Sequence, residues 1–193
     1  MNKTRLAIFA SGKGSNAINI IDYFHEHDSM EVTFVLSNKA DAPVIEKANN
    51  RSIKTIILNN IEVENAEILI KTTADLGVDY VILAGYLRLI PAEFILKYSR
   101  KIFNIHPSLL PKYGGKGMFG DHVHRAILNS GDKKTGITIH YVDAEFDEGE
   151  IINQFNCDLG ENETIESIRG KINSLELTHF PAVIEQTILK NRF

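Results

Sequence analysis

Five short apolar runs alternate with segments of helical period along the first half of the chain, and this alternation restricts the fold more than any other feature. The runs are rich in β-branched and large aliphatic residues, as is typical of strands buried on both faces. They are RLAIFA, EVTFVLS, KTIIL, DYVILAG and KIFNI, at 5–10, 31–37, 54–58, 79–85 and 101–105. Helices are predicted between them at 15–27, 42–50, 62–76 and 91–99. This order predicts an α/β protein with a mostly parallel twisted sheet and helices on both faces.

The second half of the chain departs from this alternation. After a helix predicted near 121–130, TGITIHYVD and EIINQFNCDL are separated only by AEFDEG. That connection is too short for a helical crossover, so the two runs are predicted to pair antiparallel. A final helical region from 164 to about 189 is expected to be kinked or restarted at Pro181. With no internal repeat or composition break, the 193 residues are predicted to form a single domain, 1–193.

Composition argues against several kinds of partner. The net charge of −4 gives no general basic field, so neither nucleic acid nor an anionic membrane is an expected partner. No segment approaches the roughly 20 apolar residues of a membrane span, and no signal peptide is recognisable. The single cysteine, Cys157, cannot form an internal disulfide, which favours a reducing, cytoplasmic location. Since there is no H-E-x-x-H or paired Cys/His motif, no metal is expected.

Polar residues at the ends of the predicted strands are the candidates for a site, because ligands of open α/β sheets bind beyond the carboxyl ends of the strands. In ASGKGSNA, Gly12 and Gly14 open a helix whose free N–H groups suit a phosphate. A tight turn capped by Ser15 or Asn16 explains the same residues about as well. The second strand ends in LSNKAD, without the well-placed acid of a dinucleotide site, which favours a single phosphate.

Two further groups follow the fourth and fifth strands. AGYLRLI, residues 84–90, either grips a flat heterocycle by apolar and main-chain contacts or simply continues the core. In KIFNIHPSLLPKYGGKG, Asn104 and His106 are two residues apart and therefore face the same side of the strand. Asn104 can donate to an oxyanion, and His106 can exchange a proton near neutral pH. A lone strand-end histidine is more often structural, but the pair favours catalysis.

Acidic residues crowd the turn between the two predicted antiparallel strands. Within IHYVDAEFDEGEI they are Asp143, Glu145, Asp147, Glu148 and Glu150. The simplest interpretation is a solvated hairpin turn. Alternatively, one of these acids orients the imidazole of His106 and stabilises its protonated form.

Taken in order, these motifs resemble the glycinamide ribonucleotide formyltransferases, the folate-dependent enzymes of purine synthesis. The matching segments cover nearly the full length, and NIHPSLLP is highly specific to the formyltransferase superfamily. The segments are SGKGSN, SNKADA, LAGYLRLI, NIHPSLLPKY, HYVDAEFDEG and NSLELTHFP. The resemblance implies a Rossmann-like formyltransferase fold, 10-formyltetrahydrofolate as the cosubstrate and glycinamide ribonucleotide as the acceptor. It implies direct attack through a tetrahedral intermediate, without a metal.

The resemblance also implies roles for individual residues. The expected catalytic residues are Asn104, His106 and Asp147. The ribonucleotide is expected to contact the glycine-rich turn, one strand end and the last helix, through Gly12, Gly14, Ser15, Asn16, Pro107 and Glu176. The folate is expected to contact the loop after the fourth strand and residues near the chemistry, namely Leu87, Arg88, Leu89, Ile90, Asn104 and Asp143.

The chain departs from the family pattern in two places. KGMFGD lengthens the connection before HVHRAIL, so the shape of residues 114–121 is not predicted. NNIEVENAE lacks an arginine that many members carry at the start of the third helix, so the contacts of the folate tail are not predicted either. Two alternative functions stay open from sequence alone, a formyltetrahydrofolate hydrolase and a non-catalytic nucleotide-binding module. The oligomeric state is not predicted.

Overall fold

The computed structural model describes residues 2–191, which divide into two compact units. The first unit ends at Asn104 and the second begins at Ile105. Residues 1, 192 and 193 of the predicted domain lie outside the described residues. A single domain over 1–193 stays a prediction.

The first unit contains a parallel sheet. Its strands are β1 (Thr4–Phe9), β2 (Met30–Ser37), β3 (Lys54–Ile57), β4 (Tyr80–Leu83) and the start of β5 (Ile102–His106). Their order is β3-β2-β1-β4-β5, and each neighbouring pair runs parallel. All five predicted strands are therefore confirmed, with ends that differ from the prediction by two residues at most.

Strand β1 lies in the middle of this sheet and is its most buried strand, with Leu6, Ala7, Ile8 and Phe9 all at 0% exposure. From β1 the chain builds β2 and β3 on one side and then returns to place β4 on the other side. The segments that follow β1 and β4 therefore leave neighbouring strands in opposite directions. Such a reversal of strand order is where open α/β sheets bind their ligands.

Five helices connect these strands: α1 (Ser15–Phe24), α2 (Pro43–Asn49), α3 (Asn60–Glu64), α4 (Ala66–Asp75) and α5 (Ala92–Lys97). The single helix predicted over 62–76 is wrong, since Asn65 separates α3 from α4. Asn65 has an extended backbone, and its side chain accepts the N–H groups of Glu67 and Ile68. This cap starts a new helix where the apolar pattern alone indicates one continuous helix.

The second unit contains α6 (Asp121–Ser130), β6 (Lys134–Tyr141), β7 (Ile151–Asp158) and α7 (Ile165–Lys190). Strands β6 and β7 pair antiparallel from Lys134 opposite Asp158 to His140 opposite Ile151, which confirms the predicted pair. Helix α7 continues without interruption through Pro181, so a restart there is wrong. Burial of Phe180 and Ile184 at 0% exposure on either side of the proline keeps the helix packed despite the missing backbone donor.

The predicted fold class is confirmed, since a parallel sheet is followed by an antiparallel carboxy-terminal pair. Among the residues that the structure describes, no helix is both long and apolar enough to cross a membrane.

Candidate active site

Gly14 shapes the glycine-rich turn (residues 10–14) that follows β1. It is the N-cap residue of α1 and has left-handed backbone angles, φ 74° and ψ 25°. A Cβ atom at this position would lie 2.4 Å from Val44 Cγ2, at the start of α2. The Val44 N–H also donates to the Gly12 carbonyl oxygen at 3.2 Å. Because Gly14 occupies the cap position, the alternative of a cap by Ser15 or Asn16 is wrong.

Gly12 has a different environment from Gly14. A Cβ atom on Gly12 would meet no described atom within 4 Å. Ser15 is exposed and Asn16 is half-buried in the first turn of α1, where the backbone N–H groups and the helix dipole suit an anion. Binding of a phosphate by these four residues stays a prediction.

Ser11, which sequence reasoning missed, connects the ends of three strands. Its side chain is buried, at 3% exposure. The Ser11 hydroxyl donates to Asn38 Oδ1 at 2.7 Å and accepts the Leu87 N–H at 3.2 Å. The Ser11 N–H donates to the Gly85 carbonyl oxygen at 3.1 Å. No local pattern signals this role, since Asn38 and Leu87 lie 27 and 76 residues away along the chain.

The loop after β4 (residues 84–90, the 84–90 loop) exposes apolar side chains. Leu87 and Leu89 are 54% and 49% exposed, whereas Ile90 is only 4% exposed. Arg88 forms an ion pair with Glu64 of α3. Tyr86 is buried, and burial raises the pKa of its hydroxyl well above the usual value. The loop thus offers two leucines for an apolar ligand, and contact of residues 87–90 with a folate stays a prediction.

Strand β5 carries Asn104 and His106 and passes from the first unit to the second just after Asn104. Asn104 is half-buried, His106 is 3% exposed, and Pro107 directly after the strand is half-buried. The strand period places the Asn104 and His106 side chains on one side of β5.

Two oxygen atoms of the second unit face the imidazole of His106. Nε2 lies 2.8 Å from the Tyr113 carbonyl oxygen, and Nδ1 lies 3.3 Å from Asp147 Oδ2. A carbonyl oxygen only accepts, so Nε2 carries a proton. Nδ1 faces a carboxylate, which also only accepts. Both contacts are therefore satisfied together only when the ring is the doubly protonated imidazolium and Asp147 is ionised.

Asp147 differs from the other acids of the hairpin in its burial. Its side chain is 12% exposed, whereas the residues Asp143, Glu145, Glu148 and Glu150 are all exposed. The Gly115 N–H donates to Asp147 Oδ2 at 3.1 Å. Burial by itself raises the pKa of Asp147, but the hydrogen bond and charge of His106 and the Gly115 donor outweigh it, so that the pKa lies below its usual value.

A second imidazole, which sequence reasoning also missed, faces the other oxygen of Asp147. His140 Nε2 lies 3.7 Å from Asp147 Oδ1, and His140 Nδ1 lies 2.8 Å from the Tyr141 carbonyl oxygen. His140 is 2% exposed, and burial lowers its pKa. The neutral ring therefore carries its proton on Nδ1, and Asp147 lies between the two histidines.

The loop before α6 holds the Tyr113 carbonyl in place. The Tyr113 hydroxyl donates to Asp132 Oδ2 at 2.8 Å, and Lys112 Nζ lies 2.6 Å from the same oxygen. The hydrogen bond from Lys112 lowers the pKa of Asp132. Of residues 114–121, whose shape the sequence did not predict, Gly115, Gly117 and Gly120 have positive φ angles.

Two other predicted site residues, Asp143 and Glu176, lie on the β6–β7 connection and on α7. Asp143 is exposed, and its Oδ1 accepts the Glu145 N–H at 3.1 Å. Glu176 lies half-buried on α7. Within residues 2–191, no group of three or more His, Cys, Asp or Glu side chains is suited to hold a metal ion.

The first unit is an open α/β sheet with a reversal of strand order at β1 and a glycine-rich turn after it. The second unit contains the buried His106–Asp147 pair. The chain belongs to the formyl transferase family, whose model matches residues 4–184.

Several members of this family are similar over most of the chain. The phosphoribosylglycinamide formyltransferase of Haemophilus influenzae is 34% identical over 94% of the chain and 85% of its own length. The crystal structure of phosphoribosylglycinamide formyltransferase from Bacillus halodurans superimposes with a TM-score of 0.86 at 33% identity, covering 96% of this chain and 95% of that one. These likenesses confirm the Rossmann-like formyltransferase fold.

The plant relatives are longer than this chain. The chloroplastic phosphoribosylglycinamide formyltransferase of Vigna unguiculata is 37% identical over 96% of the chain, which spans 61% of that protein. The chain spans 60% of the protein of the same name from Arabidopsis thaliana.

Proposed function

We propose that the chain transfers the formyl group of 10-formyltetrahydrofolate to the amine of glycinamide ribonucleotide, a step of purine biosynthesis. The observation that carries this proposal is the buried His106–Asp147 pair, at 3.3 Å, within the region that matches the formyl transferase family. The names of the relatives from Haemophilus influenzae and Bacillus halodurans supply the acceptor. Both substrates in this proposal are small molecules, and its partners include no nucleic acid.

The reaction is a direct displacement at the formyl carbon. The neutral amine of the ribonucleotide attacks this carbon, and the carbonyl electron pair moves onto oxygen to give a tetrahedral oxyanion. The attacking nitrogen then loses one proton, and N10 of the folate gains one as its bond to carbon breaks. The products are the formylated ribonucleotide and tetrahydrofolate, with no net uptake of protons. The enzyme therefore has to stabilise the oxyanion and move one proton between two nitrogens.

We assign these two tasks to the three catalytic residues. The side-chain amide of Asn104 donates to the oxyanion, as does the protonated ring of His106. Asp147 keeps His106 charged and relays the proton through water. The ring nitrogen Nε2 contacts the Tyr113 carbonyl oxygen at 2.8 Å, so His106 donates to substrate only after exchanging that partner.

The binding roles follow the same family pattern. Gly12, Gly14, Ser15 and Asn16 hold the phosphate at the start of α1. Leu87 to Ile90 contact the pterin of the folate, where two exposed leucines are available. Contacts of the ribonucleotide with Pro107 and Glu176, and of the folate with Asp143, complete the proposal. A cytoplasmic location stays a prediction, as does 10-formyltetrahydrofolate as the donor.

The decisive experiment measures formyl transfer with and without the acceptor. Purified protein is incubated with 10-formyltetrahydrofolate, and tetrahydrofolate, formate and formylated ribonucleotide are each quantified. The proposal predicts stoichiometric tetrahydrofolate and formylated ribonucleotide, formed only when glycinamide ribonucleotide is present. If formate is released at the same rate with and without glycinamide ribonucleotide, the protein is a hydrolase. Absence of turnover with retained binding of the ribonucleotide means a non-catalytic binding module.

A further inference from the structure

A ring of polar contacts in the first unit fixes the 84–90 loop from two sides. On one side, the Leu87 N–H donates to the Ser11 hydroxyl at 3.2 Å, and that hydroxyl donates to Asn38 Oδ1 at 2.7 Å. Asn38 Nδ2 in turn donates at 2.8 Å to Oδ1 of Asn60, the first residue of α3. These contacts lead from the 84–90 loop through the ends of β1 and β2 to the start of α3.

The other side of the ring returns from α3 to the same loop. Glu64, the last residue of α3, forms an ion pair with Arg88. The helix is anchored separately by a capping box, in which Asn59 and Glu62 exchange hydrogen bonds with each other's backbone. Arg88 therefore contacts α3 directly, whereas Leu87 is connected to it through Ser11 and Asn38.

Ser11 is the only member of this ring that also belongs to the glycine-rich turn. Its backbone N–H donates to the Gly85 carbonyl oxygen at 3.1 Å, and Gly12, the predicted phosphate-binding glycine, follows it directly. The hydroxyl both donates and accepts, which an alanine cannot replace. Ser11 itself is 3% exposed, and its replacement by alanine leaves the Leu87 N–H and Asn38 Oδ1 without this partner at a part-buried position.

We propose that Ser11 is a positioning residue, whose hydroxyl holds the 84–90 loop in the conformation that receives the pterin of the folate. This inference deepens the proposed function and rests on it, because the ligand of the loop is taken from that proposal. The hydroxyl acts through the Leu87 backbone, so its loss weakens binding of the folate more than binding of the ribonucleotide.

Ser37 offers a matched control. It is a serine at 0% exposure at the end of the neighbouring strand β2, and its hydroxyl also accepts a backbone N–H, from Lys39 at 3.2 Å. Ser37→Ala therefore removes a comparable buried acceptor without touching the 84–90 loop. Comparison of Ser11→Ala with Ser37→Ala separates the loss of the Ser11 contact with the 84–90 loop from the general cost of losing a buried hydroxyl.

The experiment combines amide hydrogen exchange with ligand titration. In Ser11→Ala we expect faster exchange of the Leu87 amide than in the parent and in Ser37→Ala. The dissociation constant of a stable 10-formyl folate analogue should rise roughly five- to tenfold, as expected for loss of one or two hydrogen bonds. The dissociation constant of glycinamide ribonucleotide should stay within about twofold of the parent value, since no contact to phosphate is removed.

Other outcomes overturn the inference. One such outcome is a Ser11→Ala variant whose Leu87 amide exchange rate and folate affinity equal those of the parent. Another is an equal loss of affinity for the folate analogue and the ribonucleotide. The third is a Ser37→Ala variant with the same exchange rate at Leu87 and the same folate affinity as Ser11→Ala. If Ser11→Ala fails to fold, Asn38→Ala removes the acceptor of the same hydroxyl, and unchanged exchange and folate affinity in that variant refute the proposal. A parent protein that binds no folate refutes the proposed function instead, while exchange at Leu87 still reports whether Ser11 holds the loop.

Discussion

Two effects disfavour a side chain at Gly14: its left-handed backbone and its close approach to Val44. Alanine substitutions at Gly14, Gly131 and Gly12 separate these effects and provide the sharpest test of the site. At Gly14 the left-handed backbone, with φ 74°, costs an L-residue about 1–2 kcal/mol. The new Cβ would also lie 2.4 Å from Val44 Cγ2, 2.6 Å from Val44 Cβ and 3.2 Å from Val44 Cα. No side-chain rotation relieves contacts with Cβ and Cα, so overpacking adds about 1–3 kcal/mol.

Gly131 isolates the backbone effect, because its φ is 72° and a Cβ there would meet no described atom within 4 Å. Gly12 has neither constraint, since its Cβ would also meet nothing within 4 Å and its backbone is not left-handed. We therefore expect free energies of unfolding to fall by about 2–5 kcal/mol for Gly14→Ala. The expected loss is about 1–2 kcal/mol for Gly131→Ala and under about 0.5 kcal/mol for Gly12→Ala.

Urea titrations monitored by circular dichroism measure the free energies of unfolding of the three variants and so test their expected order. With a slope of about 2 kcal/mol per molar urea, the Gly14→Ala midpoint should fall by roughly 1–2.5 M. The same variants then test the phosphate site. Gly12→Ala should fold normally yet raise the KM for the ribonucleotide well above the parent value, because its methyl group would enter the space where the phosphate is proposed to bind. If Gly14→Ala costs no more than Gly131→Ala, or if Gly12→Ala leaves this KM unchanged, the reasoning is refuted.

Three further predictions concern the proposed catalytic residues. Asn104→Ala should lower kcat roughly 10²-fold or more with nearly unchanged dissociation constants, as measured by single-turnover kinetics and titration. Asp147→Asn should lower kcat by at least ~10²-fold, whereas Glu148→Gln, which changes an exposed acid, should stay within a few-fold; equal losses in steady-state assays would contradict the assignment. Because the pKa of Asp147 is lowered in the folded protein, its ionised form stabilises the fold above about pH 4, and this contribution is lost as the pH falls further. Urea titrations across this range should therefore show the parent losing more stability than Asp147→Asn.

Strands β1, β4, β5 and β6 were predictable because each is a largely buried run rich in apolar residues. The same pattern located β3 and β7, although the residues of these two strands are only half-buried or exposed. The break between α3 and α4 was not predicted, although it has a local cause. Asn65 has the side chain of a helix cap, but the apolar spacing continues across it and outweighed that signal. Helix α7 shows the opposite error, since Pro181 signals a break locally and burial of its neighbours keeps the helix intact. In α7, tertiary packing therefore overrides the local signal of Pro181. Between α3 and α4, the side chain of Asn65 overrides the apolar periodicity.

The candidate site was predictable where its residues stand next to one another in the sequence, and not where they meet through the fold. Gly12 to Asn16 form a contiguous motif, and Asn104 and His106 share one strand. Ser11 depends on partners from two other strand ends. His140 lies within a buried strand, where nothing in the pattern separates it from a structural residue.

The choice of Asp147 among five acids rests on the resemblance to the family, and the structure adds that its backbone conformation differs from theirs. Asp147 has φ 60° in the left-handed region, which Asp and Asn tolerate better than other residues with side chains. This conformation accompanies a side chain that is 12% exposed and faces two histidines, while the neighbouring acids are exposed. Asparagine keeps both the volume and the tolerance of positive φ, so Asp147→Asn removes the charge and converts one acceptor oxygen into a donor NH2 group without adding backbone strain. Alanine would add backbone strain to the same position, and its effect on turnover would no longer report electrostatics alone.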